Sequence, residues 1–208
     1  MILQRQFPLK VVSMDNFMVV GGNIRMKSKE VESNRDRLGG FWDELKYGVW
    51  HVTTVENLPK ILDDQYISPN GDGTNNPWNG YCSSEGWVSL FDFESSLKKD
   101  GISEDEILEE FCTKTPSDFL CPRTDGKKDC CSIWIKIQTS KLLNGVVVNE
   151  EGCLKMKKTN FIPNIEICCK ESIPVKSFDY ILMVRFDRPR YFRKIDMSEN
   201  VLGQIKNF

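Results

Sequence analysis

The side chains best able to do chemistry in this sequence are few and widely spaced. Glu166 opens an apolar run in Pro163-Asn164-Ile165-Glu166-Ile167-Cys168, where β-branched residues predict a strand over 165–169. A carboxylate there can stabilise a developing positive charge or take a proton. It can equally be a solvated glutamate at a strand edge. The chain has one histidine, His51, in Trp50-His51-Val52-Thr53 at the end of a strand predicted over 47–53. Alternation puts His51 and Thr53 on one face and Val52 on the other. They are candidate ligand contacts, although His51 also suits a core position beside a helix cap. In the strand predicted over 87–93, Ser89 and Phe91 share one face, and Val88 and Leu90 the other. Ser89 is the polar side chain on its face, and Asp92 reads as either a site acid or a strand-end acid.

The elements that must carry these residues follow from periodicity. A short helix is expected over 54–63, with Thr54 as cap and Pro59 near its first turn, then a short strand over 66–68. Residues 69–80 (PNGDGTNNPWNG) are crowded with turn formers and read as a loop. Ser103 and Glu106 form a capping box for a helix over 103–111. Further strands are expected over 132–138 and 146–149, and one over 180–186 closes the sheet. Residues 1–40 read as an N-terminal extension, with a strand pair over 11–20 turning at Asp15-Asn16, and residues 41–208 as one domain. Many short strands with few helices predict an α+β fold with a short-stranded, split, mixed or antiparallel sheet.

Composition narrows the function classes. With 40% hydrophobic and 28% charged residues, the chain has the balance of a folded domain. A net charge of −2 argues against broad nucleic-acid binding through a strong positive field, but leaves room for local basic stretches. Two stand out: Lys155, Lys157 and Lys158 just before the glutamate, and Arg185, Arg188, Arg190, Arg193 and Lys194 near the end. Ordinary solvated charge also accounts for both. No apolar run is long enough to span a bilayer, and the first ten residues have no apolar export segment. A cytoplasmic chain without a membrane partner is therefore expected. The eight cysteines are Cys82, Cys112, Cys121, Cys130, Cys131, Cys153, Cys168 and Cys169. They form no C-x-x-C pair, so neither a metal site nor a disulfide framework is expected, and all eight are read as free thiols.

The run His51-Val52-Thr53, with Glu56-Asn57-Leu58-Pro59-Lys60-Ile61-Leu62 and then Tyr66-Ile67, resembles the opening of ADP-ribosyltransferases of the DarT-like branch. Pro163-Asn164-Ile165-Glu166-Ile167-Cys168 followed by Ile173-Pro174 is similar to that family's closing signature. The two matches lie about 115 residues apart and in order, a stronger signal than either alone. The resemblance implies an ADP-ribosyltransferase-like fold that splits NAD and transfers its ADP-ribose. His51 and Thr53 would hold the adenosine-side ribose, Ser89 and Tyr81 would line the nicotinamide side, and Glu166 would be catalytic. NAD would be a co-substrate, with no metal. By the same resemblance, and with the two basic stretches able to guide a strand, the acceptor would be a DNA or RNA base, in a toxin or phage-defence role with an antitoxin or inhibitor as partner; a protein acceptor, or a non-enzymatic binding module on the same fold, is the alternative. One departure stands against the pattern: the family's phosphate-binding arginine after the second strand has no counterpart, because no arginine occurs between Arg37 and Arg123.

Overall fold

Three tryptophans and four phenylalanines fix the layering, since each large buried apolar side chain stabilises the fold by about 1.5–3 kcal/mol. In a computed structural model, residues 17–20, 23–26, 36, 38–69, 82, 86–114, 123–124, 127–128, 131–142, 147–148, 162, 164–185, 191–198 and 200–205 are described. In chain order the elements are β1 (Phe17–Val20), β2 (Asn23–Met26), α1 (Gly40–Leu45), β3 (Val49–Thr53), α2 (Asn57–Asp64), β4 (Tyr66–Ile67) and β5 (Val88–Asp92). Then come α3 (Phe93–Leu97), α4 (Glu104–Lys114), β6 (Arg123–Thr124), β7 (Lys127–Lys128), β8 (Cys131–Ile137), β9 (Val147–Val148) and β10 (Glu166–Cys169). The last are β11 (Ile173–Pro174), β12 (Phe178–Arg185), β13 (Tyr191–Asp196) and α5 (Val201–Ile205).

Among the described residues the main sheet has seven strands in the order β13-β12-β8-β3-β5-β10-β9, and every pairing is antiparallel. The architecture is therefore α+β with few helices, and the mixed alternative is not seen among the described residues. One face carries Trp50, Phe91, Trp134 and Leu182, covered by Phe41 and Trp42 of α1 and Phe111 of α4. The other face carries Val49, Leu90, Ile135 and Ile181, covered by Leu58 of α2, Ile173 of β11 and Val201 of α5. Among the described residues each buried indole N–H has an acceptor: Trp42 donates to Glu104 Oε1 at 2.9 Å, Trp50 to the Leu45 carbonyl at 2.8 Å and Trp134 to Ser132 Oγ at 3.0 Å. Leaving one unpaired would cost about 1–3 kcal/mol.

Several expectations shift. The N-terminal strand pair joins Phe17–Val20 to Asn23–Met26, and is not a pair contained within 11–20 about Asp15-Asn16. Leu38 is buried in the first core cluster, so packed structure reaches back into the segment read as an extension. The strand expected to close the sheet, β12, is interior; β13 pairs outside it. Arg193 and Lys194 gave β13 the look of a charged tail, yet charge is what protects an edge strand. The Ser103–Glu106 capping box forms as expected, with Glu106 N–H donating to Ser103 Oγ at 3.3 Å and Ser103 N–H to Glu106 Oε2 at 2.8 Å.

Candidate functional site

The sheet has a weak seam. β3 pairs with β8 over five residues from Val49 to Thr53, but with β5 only at Val49↔Asp92 and Trp50↔Phe91. Beyond Trp50 the two strands part, so His51 to Thr53 and Val88 to Leu90 flank a split. On its far side β5 pairs with β10 over four residues, with Glu166 opposite Phe91 and Cys168 opposite Ser89.

Ser89 and Glu166 are diagonal neighbours on one face of that ladder, and Ser89 Oγ donates to Glu166 Oε1 at 2.7 Å. The other carboxylate oxygen, Oε2, accepts from the Ile162 N–H at 3.0 Å, while Glu166 N–H donates back to the Ile162 carbonyl at 2.9 Å. Glu166 is 4% exposed. Burial pushes its carboxyl above the ordinary value, and the bonds from Ser89 and Ile162, which favour the charged form, offset part of that rise. This is a carboxylate kept nearly dry and held in one orientation, able to face a developing cation or accept a proton.

His51 spans the split. Its Nδ1 lies 3.1 Å from the Ser89 carbonyl, which can only accept, so Nδ1 carries the proton and Nε2 is left as an acceptor in the neutral ring. Desolvation lowers the histidine pKa, and the bond to Ser89 opposes that in part. Thr53, in register with Ile133, is buried on the same face as His51. Thr54 Oγ1 accepts from the Asn57 N–H at 3.2 Å, so the expected cap holds the start of α2.

The structure thus joins Ser89, Glu166 and His51, but not on a single face. Trp50 and Phe91 pair on the face covered by α1 and α4, so alternation puts His51 and Thr53 on the opposite face from Ser89 and Glu166. His51 reaches the pair through the Ser89 backbone, across the edge where the strands separate. Asp92 is a helix cap, its Oδ1 accepting from the Ser95 N–H at 2.9 Å, as suits an acid at a strand end. Tyr81, Lys155, Lys157, Lys158, Arg188 and Arg190, as well as loop residues 70–80, lie outside the described residues. Of the second basic stretch, Lys194 Nζ stands 3.7 Å above the Tyr180 ring and 3.6 Å from Glu44 Oε2. It sits on β13, with β12, β8, β3 and β5 between it and Glu166's strand.

The free-thiol expectation fails for one pair: Cys82 and Cys168 are disulfide-bonded, linking points 86 residues apart. Cys169 keeps its thiol, which lies 3.4 Å from the Glu171 carbonyl. Cys82 Sγ lies 3.5 Å from Glu166 Oε1 but, being bonded to sulfur, has no proton to donate. Sequence spacing could not reveal this bridge, because the partners meet only after β10 pairs with β5. The Ile162 amide likewise has no signal in the sequence, because a backbone donor is independent of residue type. No helix among the described residues is long and apolar enough to cross a membrane. No protein-family model, curated protein or solved structure matches the chain, so the reading of the site rests on its own geometry.

Proposed function

We propose that the chain is an NAD-dependent ADP-ribosyltransferase of α+β, ADP-ribosyltransferase-like fold, acting on a DNA or RNA base in a toxin or phage-defence role. The observation that carries this reading is the buried Glu166 carboxylate bonded to Ser89 beside a split whose other strand presents His51. Loss of nicotinamide breaks the bond between ribose C1′ and the pyridinium nitrogen, and the bonding electrons leave with nicotinamide. The ribosyl cation that forms is oxocarbenium-like, and a fixed, poorly hydrated carboxylate lowers its energy. An acceptor nitrogen or oxygen then bonds to C1′ and releases a proton, which Glu166, with its raised proton affinity, can take. His51 Nε2, an acceptor, suits a ribose hydroxyl, the role that the family resemblance gives it. The nucleic-acid acceptor and a neutralising protein partner rest on that resemblance alone; a protein acceptor is the alternative.

A second reading has its own support. Both oxygens of Glu166 are engaged within the protein and the residue is almost fully covered, as expected of a structural glutamate in a non-enzymatic binding module. Incubation with NAD labelled in the adenylate, against DNA, RNA and total protein, separates the two. Label transfer with nicotinamide release supports the enzyme. Thermal stabilisation by NAD without nicotinamide release supports the binding module, and no response to NAD overturns both.

A further inference from the structure

Glu166 is held by a turn that is itself held from outside. Ile162 and Glu166 are joined by two bonds, and Asn164, between them in the sequence, has a left-handed backbone with φ of 63°. Three external groups clamp this turn. The Asp92 N–H donates to the Ile165 carbonyl at 2.8 Å, and Ser96 Oγ, 1% exposed on α3, is bonded to the Asn164 carbonyl. Asn164 Nδ2 donates to Glu110 Oε2 of α4 at 2.9 Å. None of the three touches the Glu166 carboxylate, yet together they set the height of the turn over the sheet and so the place of the Ile162 amide that orients Oε2.

We propose that Asn164 and Glu110 are positioning residues, through which α4 holds the 162–166 turn and thereby aims the Glu166 carboxylate. The two have distinct parts. Asn164 supplies the left-handed conformation, which asparagine tolerates better than most residues, and the amide donor. Glu110 supplies the acceptor from a helix whose apolar side, Ile107, Leu108 and Phe111, is fully buried and therefore rigid. In catalytic terms the inference rests on the transferase reading above; its physical content does not.

The test uses the full chain with Glu110→Ala, Glu110→Gln, Asn164→Ala and Asn164→Gly. Hydrogen exchange at the Ile162 amide, compared with amides of β8 and β12, reports the turn whether or not the protein turns over NAD. Glu110→Ala should speed Ile162 exchange by about tenfold or more with the sheet unchanged, because only the local opening becomes easier. Glu110→Gln, whose amide oxygen still accepts from Asn164, should restore protection. Asn164→Gly, free to stay left-handed, should lose less protection than Asn164→Ala. If nicotinamide release is observed in the wild type, Glu110→Ala should lower kcat by about tenfold to a hundredfold at unchanged KM, the signature of a misplaced group. Ile162 protection in Glu110→Ala equal to wild type overturns the inference whatever the activity. Wild-type NAD inertness with the predicted exchange pattern sinks the transferase reading and leaves the positioning intact.

Discussion

Ser89 Oγ and Glu166 Oε1 are 2.7 Å apart, a contact that runs diagonally across two antiparallel strands at the edge of a split in the sheet. The hydroxyl's proton can go only to the carboxylate in this pair, so the bond favours the ionised form and opposes the effect of burial. The bond thus favours the anion in a place where burial alone would disfavour it.

Ser89→Ala should therefore raise the Glu166 pKa beyond its already elevated value. Carbon-13 labelling of glutamate carboxyls, with Glu166→Gln to assign the resonance, measures it directly. If Glu166 is catalytic, turnover should fall by about tenfold or more, since hydrogen bonds to charged groups are worth about 1.5–3 kcal/mol. An unchanged carboxyl titration in folded Ser89→Ala would show that the bond is not made in solution.

The Cys82–Cys168 bridge closes a long loop, and in the chain-entropy model a link across 86 residues stabilises by about 4–5 kcal/mol. Both residues are 0% exposed, so reductant should reach the bridge slowly in the folded protein and readily once it opens. Protein unfolded and refolded under reducing conditions should melt well below untreated protein, and Cys168→Ser should match it. A free-thiol count of eight in the untreated, fully folded protein would contradict the bridge.

His51 gives stability a definite dependence on acid. Its folded pKa lies below the ordinary 6.5, so the unfolded chain binds the proton more readily. The contribution is complete above about pH 6.5, the unfolded value, and is lost as pH falls through the lowered folded pKa. Urea melts between pH 7 and 5 should show stability declining with acid, and His51→Gln, whose side-chain amide can still donate to the Ser89 carbonyl, should flatten the decline. Equal slopes in the two proteins would mean that the imidazole is not desolvated.

What was legible in the sequence was what local pattern controls. The alternation of Val49 to Thr53 and of Val88 to Asp92, the Ser103–Glu106 capping box and the Thr54 cap are contained within a few residues and form close to where periodicity put them. What was not legible depends on register between distant strands. Ser89 meets Glu166, and Cys82 meets Cys168, only because β10 docks on β5, and nothing near either residue announces its partner. The face assignment shows the same limit. Alternation alone places His51 with Thr53, and Ser89 with Phe91, on one face of their own strand. Only the Trp50↔Phe91 pairing reveals that these faces are opposite ones. Asp92 was ambiguous because a strand-end acid and a helix cap look alike until α3 is seen to begin at the next residue.

Glu166→Gln tests the chemistry most directly, because its structural and catalytic consequences separate. Glutamine keeps the size of the side chain, and one orientation satisfies both neighbours: its oxygen accepts from the Ile162 amide while its NH2 donates to Ser89 Oγ, which can accept. The fold should therefore survive. Stability should gain a changed pH profile: the raised folded pKa of Glu166 means that protonation favours the native state, an effect complete below the ordinary 4.5 and lost as pH rises through the folded value. The variant has no such titration, so its stability should not decline with that part of the wild-type curve. Transfer should fall by about a hundredfold or more, as when a main electrostatic stabiliser is removed, with NAD affinity nearly unchanged because the charge matters chiefly once the ribosyl cation develops. A folded Glu166→Gln protein with near-normal transfer would remove Glu166 from the chemistry, and collapse of the fold would make it the structural latch that its two internal bonds also permit.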